Sequence, residues 1–196
     1  MNKYLLMTAL GAGSMIAMAA PAAAQTVTGN VAITGTVSNK CSVLPGGGST
    51  FSDSRDLGEL AKVDGTMEDS ATLASRFGLS GGSAPTFRVV CTTANPNVAV
   101  DSTELTTAGT APTGYSSRID FVAHVAAALT PSGTGNVAND SRGAATAATP
   151  IGGRLANNGS NNITVTADTF GTPNATDLLT AGAYSGNIKI DITPGS

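Results

Sequence analysis

The chain has 196 residues, with 12% charged, 4% aromatic and a net charge of −3. A mildly acidic chain without Lys/Arg clusters or stacked aromatics argues against nucleic-acid binding. Abundant Thr, Ala, Gly, Asn and Ser, with little Glu, Lys or Leu, starves helices and suits short strands joined by many turns.

In chain order, Met1-Asn2-Lys3 supplies a short positive segment, Leu5 to Ala20 an apolar stretch, and Ala22-Ala23-Ala24 a small-residue cleavage site. This is the pattern of a secretory signal peptide over 1–24, with Gln25 as the expected mature start and export as the expected fate. The apolar stretch is short and full of Ala and Gly, which disfavours a retained anchor. Without the leader, whose only charge is Lys3, 172 residues remain with 9 basic against 13 acidic groups, or −4. That is the size of one ordinary domain.

Positions 26–37 alternate: Val27, Gly29, Val31, Ile33, Gly35 and Val37 on one side, Thr26, Thr28, Asn30, Ala32, Thr34 and Thr36 on the other. Strict period-two alternation dominated by β-branched residues predicts a strand. At roughly 3.3 Å per residue it would reach about 40 Å, long enough for two consecutive pairing roles. Cys41 and Cys91 are the only cysteines, and export to an oxidising compartment makes a Cys41–Cys91 disulfide the expectation.

Pro45-Gly-Gly-Gly-Ser49 is a turn, and residues 51–83 show no clear period, with a helix over Met67–Phe77 as the one element suggested. Thr86–Cys91 places Phe87, Val89 and Cys91 on one face, and Val98-Ala-Val100 follows the Asn95-Pro96-Asn97 turn. Arg118–Ala128 aligns Ile119, Phe121 and Val125. Residues 130–162 hold hardly any large apolar group and read as a long surface loop or a weakly held hairpin. Strands resume at Ile163-Thr-Val165 and over Ala183–Thr193, where Ile188, Ile190 and Ile192 alternate with Asn187, Lys189 and Asp191. Short alternating strands and frequent turns predict an antiparallel β-sandwich.

Catalytic signals are sparse. The only histidine, His124, has the parity of the outer sheet face, and Glu68-Asp69 lies in a polar stretch. No G-x-S-x-G, C-x-x-C or Cys/His cluster is present, so an enzyme is not expected and neither catalytic nor metal residues are assigned. No cofactor is expected either. Asn-x-Ser/Thr triplets, among them those at Asn158, Asn162 and Asn174, are expected by chance in so Asn- and Thr-rich a chain.

Several landmarks, in order, resemble one family. Val27-Thr-Gly-Asn-Val31 leading to Val37 and Asn39-Lys-Cys41-Ser-Val43, then Val89-Val-Cys91-Thr-Thr with Val98-Ala-Val-Asp101, are similar to archaic chaperone–usher pilins and the spore coat protein U-like secreted domains. The ending Leu179-Thr-Ala-Gly-Ala-Tyr-Ser-Gly-Asn-Ile-Lys-Ile-Asp-Ile192 resembles their last turn and strand. The resemblance implies an incomplete immunoglobulin-like sandwich that lacks its G strand, a fold completed by a donor strand from another subunit. It implies a 25–35 donor strand ahead of a single 36–196 domain, in a pilus subunit serving adhesion or biofilm formation. Implied partners are identical or related subunits, a periplasmic chaperone, an outer-membrane usher and a surface or host receptor. Val27, Gly29, Val31 and Ile33 are the expected donor residues, and Val37, Val43, Ile188, Ile190 and Ile192 the expected acceptor groove. The donor runs into the domain without a Pro- or Ser-rich spacer, which predicts stiff subunit junctions. The other expectation is a monomeric secreted adhesin or coat-type binding domain.

Overall fold

A computed structural model describes residues 27–79 and 83–195, so the leader expected over 1–24 lies outside the described residues. The chain divides into two units, 1–35 and 36–196. In the first, residues 27–35 carry no helix or strand and are exposed throughout. The second is an all-β domain with one helix.

Its strands are β1 (Cys41–Leu44), β2 (Thr86–Cys91), β3 (Asn97–Thr106), β4 (Tyr115–Ser116), β5 (Arg118–Thr130), β6 (Thr134–Asp140), β7 (Thr149–Pro150), β8 (Arg154–Leu155), β9 (Ile163–Gly171), β10 (Leu178–Leu179) and β11 (Ser185–Thr193); α1 covers Ser70–Phe77. The large sheet runs β1-β2-β9-β5-β3-β11, with β6 and β8 on β5 and β7 on β3, and every pairing in it is antiparallel. Only two residue pairs join β3 to β5, Leu105↔Ile119 and Thr106↔Arg118. The sheet is therefore nearly closed and sandwich-like, with β1 at one end of the order and β11 at the other.

The core follows from alternation. In β5 the odd positions Ile119, Phe121, Ala123, Val125 and Ala127 are buried, as are Val98 and Val100 of β3 and Ile163, Val165 and Ala167 of β9. Each such side chain contributes about 1.5–3 kcal/mol when fully buried if it is aliphatic or aromatic, and the alanines fill the close approaches. Cys41 and Cys91, directly opposite in the β1–β2 pair, form the expected disulfide.

Three sequence expectations change. The hairpin at 130–162 is firmly held: β6 pairs with β5 over seven residues, Val122↔Asp140 to Ala128↔Thr134. It escaped a hydrophobic reading because its Asn, Gly and Ala satisfy the ladder without supplying large core groups. The helix begins at Ser70 rather than Met67. Leu73 and Ala74 form its buried face, and Gly78 ends it with φ 120°, its N–H bonding to Ala74 and Ser75. A Cβ at Gly78 would meet the Ala84 backbone at 2.6 Å, so that position requires glycine for both space and conformation. The predicted 26–37 strand has no counterpart in the described residues 27–37.

Two buried asparagines stand in for missing backbone. Asn139 accepts from the Ser102 N–H at 2.8 Å and donates to the Ala144 carbonyl at 2.8 Å. Asn162 bonds both backbone groups of Val89. At the surface, Arg142 bonds Asp140 through its guanidinium and its backbone N–H, and these two contacts hold the Asp140 carboxyl at about 2. A depressed carboxyl stabilises the fold above its unfolded value near 3.9 and loses that contribution as pH falls through about 2. Arg142→Ala is expected to raise the Asp140 value toward 3.9, read by carboxyl NMR titration. An Asp140 carboxyl still titrating near 2 in the variant would refute this.

Candidate functional site

The last strand is an edge. Among the described strands β11 pairs only with β3, from Ser185↔Thr106 to Thr193↔Asn97, with a bulge between Ser185 and Asn187. Gly186 sits in that bulge, where a Cβ would meet the Thr103 carbonyl at 2.8 Å. The other backbone edge of β11 carries no ladder partner among the described residues.

Beside it lies an apolar cleft of about 450 Å³. Ile188 and Ile190 of β11 line it, with Phe87 of β2, Phe121 of β5, and Val165, Ala167 and Phe170 of β9. Phe51, Leu57 and Phe77 of α1 line it too, so all five phenylalanines of the chain border this one space. Phe51 packs on Phe87 at 4.3 Å between ring centroids, and Phe121 on Phe170 at 5.7 Å. The Phe121–Phe170 separation is one at which aromatic pairs attract.

The segment that carries Phe51 and Leu57 is a strap rather than a strand. Residues 49–59 make no backbone–backbone hydrogen bond among the described residues. Side chains hold the strap instead: Leu57 is buried, and Arg76 at the end of α1 donates to the carbonyls of Leu57 (3.0 Å) and Glu59 (2.6 Å). Of the elements bordering the cleft, β11 is the one whose outer backbone edge has no ladder partner among the described residues.

A second cleft, about 540 Å³, adjoins the first and shares Arg55, Leu57, Leu105 and Tyr184 with it. Leu179 to Ala183 form its outer wall, and Asp56, Glu59 and Leu60 its rim. Tyr184 stands between the two. Its hydroxyl lies 2.9 Å from the Thr180 carbonyl and 3.0 Å from that of Ser116, which pins the turn before β11. A tyrosine hydroxyl bonded back to nearby backbone in this way is the kind of contact that fixes a corner of a β-sandwich.

The expected site residues are distributed as follows. Ile188 and Ile190 line the cleft, while Val43 and Ile192 pack against the core without lining it. Val37 lies on no strand, borders neither cleft and is 79% exposed. Phe51 and Leu57, after the Pro45–Ser49 turn, do line the cleft beside β11. Val27, Val31 and Ile33 are 91%, 84% and 92% exposed, and a Cβ at Gly29 would meet nothing within 4 Å. Phe51, Phe77, Phe121 and Phe170 were not legible as site residues. Their scarcity was the available signal: five large rings in a chain with no tryptophan must mark where the greatest apolar area gathers.

His124 lies half-exposed on the outer face of β5 with its Nε2 3.0 Å from Asp168 Oδ1. Burial raises the Asp168 carboxyl, but hydrogen bonds from His124 and Thr169 outweigh it and hold the group below its ordinary value. The Thr169 hydroxyl donates to that same Asp168 oxygen, not to the imidazole, so the trio is not arranged as nucleophile and base. Glu68 is paired with Arg76 and Asp69 with Lys62. Among the described residues no group of three His, Cys, Asp or Glu is placed to hold a metal, and no helix is long and apolar enough to cross a membrane.

Fold and site together define an all-β, disulfide-linked domain with an open sheet edge beside an aromatic cleft. Comparison with protein-family models, with curated proteins and with solved structures returns no match.

Proposed function

We propose that this chain is the structural subunit of an extracellular pilus, exported through a chaperone–usher route and polymerised by donor-strand exchange. In this reading the domain is an immunoglobulin-like sandwich without its G strand, and residues 27–33 of one copy add to β11 of the next. Adhesion or biofilm support is the use the resemblance suggests.

One observation carries the reading. A free strand edge with Ile188 and Ile190 turned into an apolar cleft occurs in a chain whose residues 27–33 alternate apolar and polar, exposed and unpaired. An added strand gains affinity from main-chain hydrogen bonds and specificity from alternate side chains in pockets. Burying Val27, Val31 and Ile33 contributes roughly 5–9 kcal/mol before ordering costs. An uncovered edge of this kind otherwise invites aggregation, which is the physical need for a chaperone.

The test is removal of residues 25–34 from the exported protein. We expect filaments to disappear from electron micrographs, and the heat-dissociated ladder of unheated gels to collapse to monomer. Filaments or ladders that persist would refute the reading and leave the monomeric binding domain in its place.

A further inference from the structure

We infer that the second cleft is filled by residues 35–37 of the same neighbouring copy whose residues 27–33 occupy the first, with Val37 as the apolar anchor. This rests on the donor-strand reading above and extends it from one cleft to two.

The register follows from side-chain size. A strand added antiparallel to β11 with Val31 opposite Ile188 puts Gly29 opposite Ile190 and Ile33 opposite Gly186, small against large at both places. Antiparallel addition matches every pairing in the large sheet and is the slightly more stable kind. In that direction the incoming chain passes Ser185 and then Tyr184, one of the four residues the two clefts share. Gly35 then stands opposite Tyr184, and Val37 lies about 20 Å beyond Val31, over the 179–183 wall. A parallel strand would carry these residues toward Thr193, away from the second cleft.

The chain's own geometry leaves Val37 free for this. It is 79% exposed, yet the residues just after it are fixed. Lys40 donates its N–H to Thr92 Oγ1 at 2.9 Å, and that hydroxyl reaches the Ser38 carbonyl at 3.0 Å. Among the described residues, Val37 thus directly precedes the first residue of the 36–196 unit that is hydrogen-bonded to the sheet. Charge agrees as well. Lys40 makes no ion pair among the described residues, and neither do Asp56 and Glu59 on the rim of the second cleft. Filling this cleft places the neighbouring domain directly against the Tyr184 end of the sandwich and leaves no slack between subunits.

Engineered disulfides between copies test this, since both native cysteines are already bonded to each other. Full-length Val37→Cys protein is co-assembled with Ala181→Cys or Ala183→Cys protein and mildly oxidised. A parallel mixture pairs Val31→Cys with Ile188→Cys. Non-reducing gels are expected to show a reductant-sensitive dimer in both mixtures. If only the Val31–Ile188 pair links, and Val37→Cys in assembled material reacts with maleimide as fast as a free peptide thiol, the inference is overturned while the donor-strand reading stands. Linkage of Val37 alone would break the continuity between the clefts and overturn it too. If neither pair links, both proposals fall.

Discussion

Replacing Cys41 and Cys91 together by serine is expected to lower stability by about 4 kcal/mol, the chain-entropy value for a closed loop of about 50 residues. The bond closes a loop that contains the strap, α1 and the Pro45–Ser49 turn, so the unfolded chain gains much freedom when it is removed. Its loss is also felt locally. The strand β1 has four half-buried residues and pairs with one other strand, β2, through four positions beginning at Cys41↔Cys91, besides a single bridge from Val43 to Gly48 of its own turn. Four such pairs without a covalent tie hold an edge strand weakly. For a domain of this size the expected fall in midpoint is roughly 8–16 °C, checked by calorimetry beside a denaturant titration. A change under 1 kcal/mol would mean that the unfolded chain is already compact across this loop.

The second large effect is expected at Asn162. The β2–β9 ladder has two register pairs, Thr86↔Thr164 and Phe87↔Ile163, and then the asparagine side chain takes over. Its Oδ1 accepts from the Val89 N–H at 2.9 Å, while its Nδ2 donates to the carbonyls of Val89 (2.6 Å) and Ala156 (2.8 Å). Asn162 is 3% exposed and Val89 2%, so water does not replace these partners. Asn162→Ala is expected to cost about 3 kcal/mol, since each buried group left unsatisfied costs roughly 1–3 kcal/mol. Asn162→Asp keeps the acceptor but turns a carboxylate oxygen toward two carbonyls, and is expected to be at least as damaging at neutral pH. Equilibrium unfolding of both variants checks this. An aspartate variant as stable as the parent would sink the hydrogen-bond account. The same geometry explains why the Asn162-Ile-Thr triplet does not present a free amide at the surface.

How much of this was legible depended on the physical signal available. Alternation located β2, β3, β5, β9 and β11 because each has one face in the core and one toward polar surroundings, so period two is written into the residues. It passed over β6, whose Thr134–Asp140 stretch is held by backbone pairing to β5 with few apolar groups. It could not find the strap at all. Phe51 and Leu57 are six residues apart on a segment with no repeating geometry, and their positions follow from what they pack against.

An antiparallel β domain, the Cys41–Cys91 bond and the inward face of Ile188, Ile190 and Ile192 were readable along the chain, because these rest on local alternation and on the chemistry of two lone cysteines. Which side chains surround the cleft beside β11 emerges from the folded arrangement alone. Parity tells that a side chain is turned inward, but whether it meets a neighbour or an open space depends on strands and loops far away in the chain. Phe51, Phe87, Phe121 and Phe170 converge on one cleft from across 120 residues of sequence because packing in three dimensions, not spacing along the chain, brings them there.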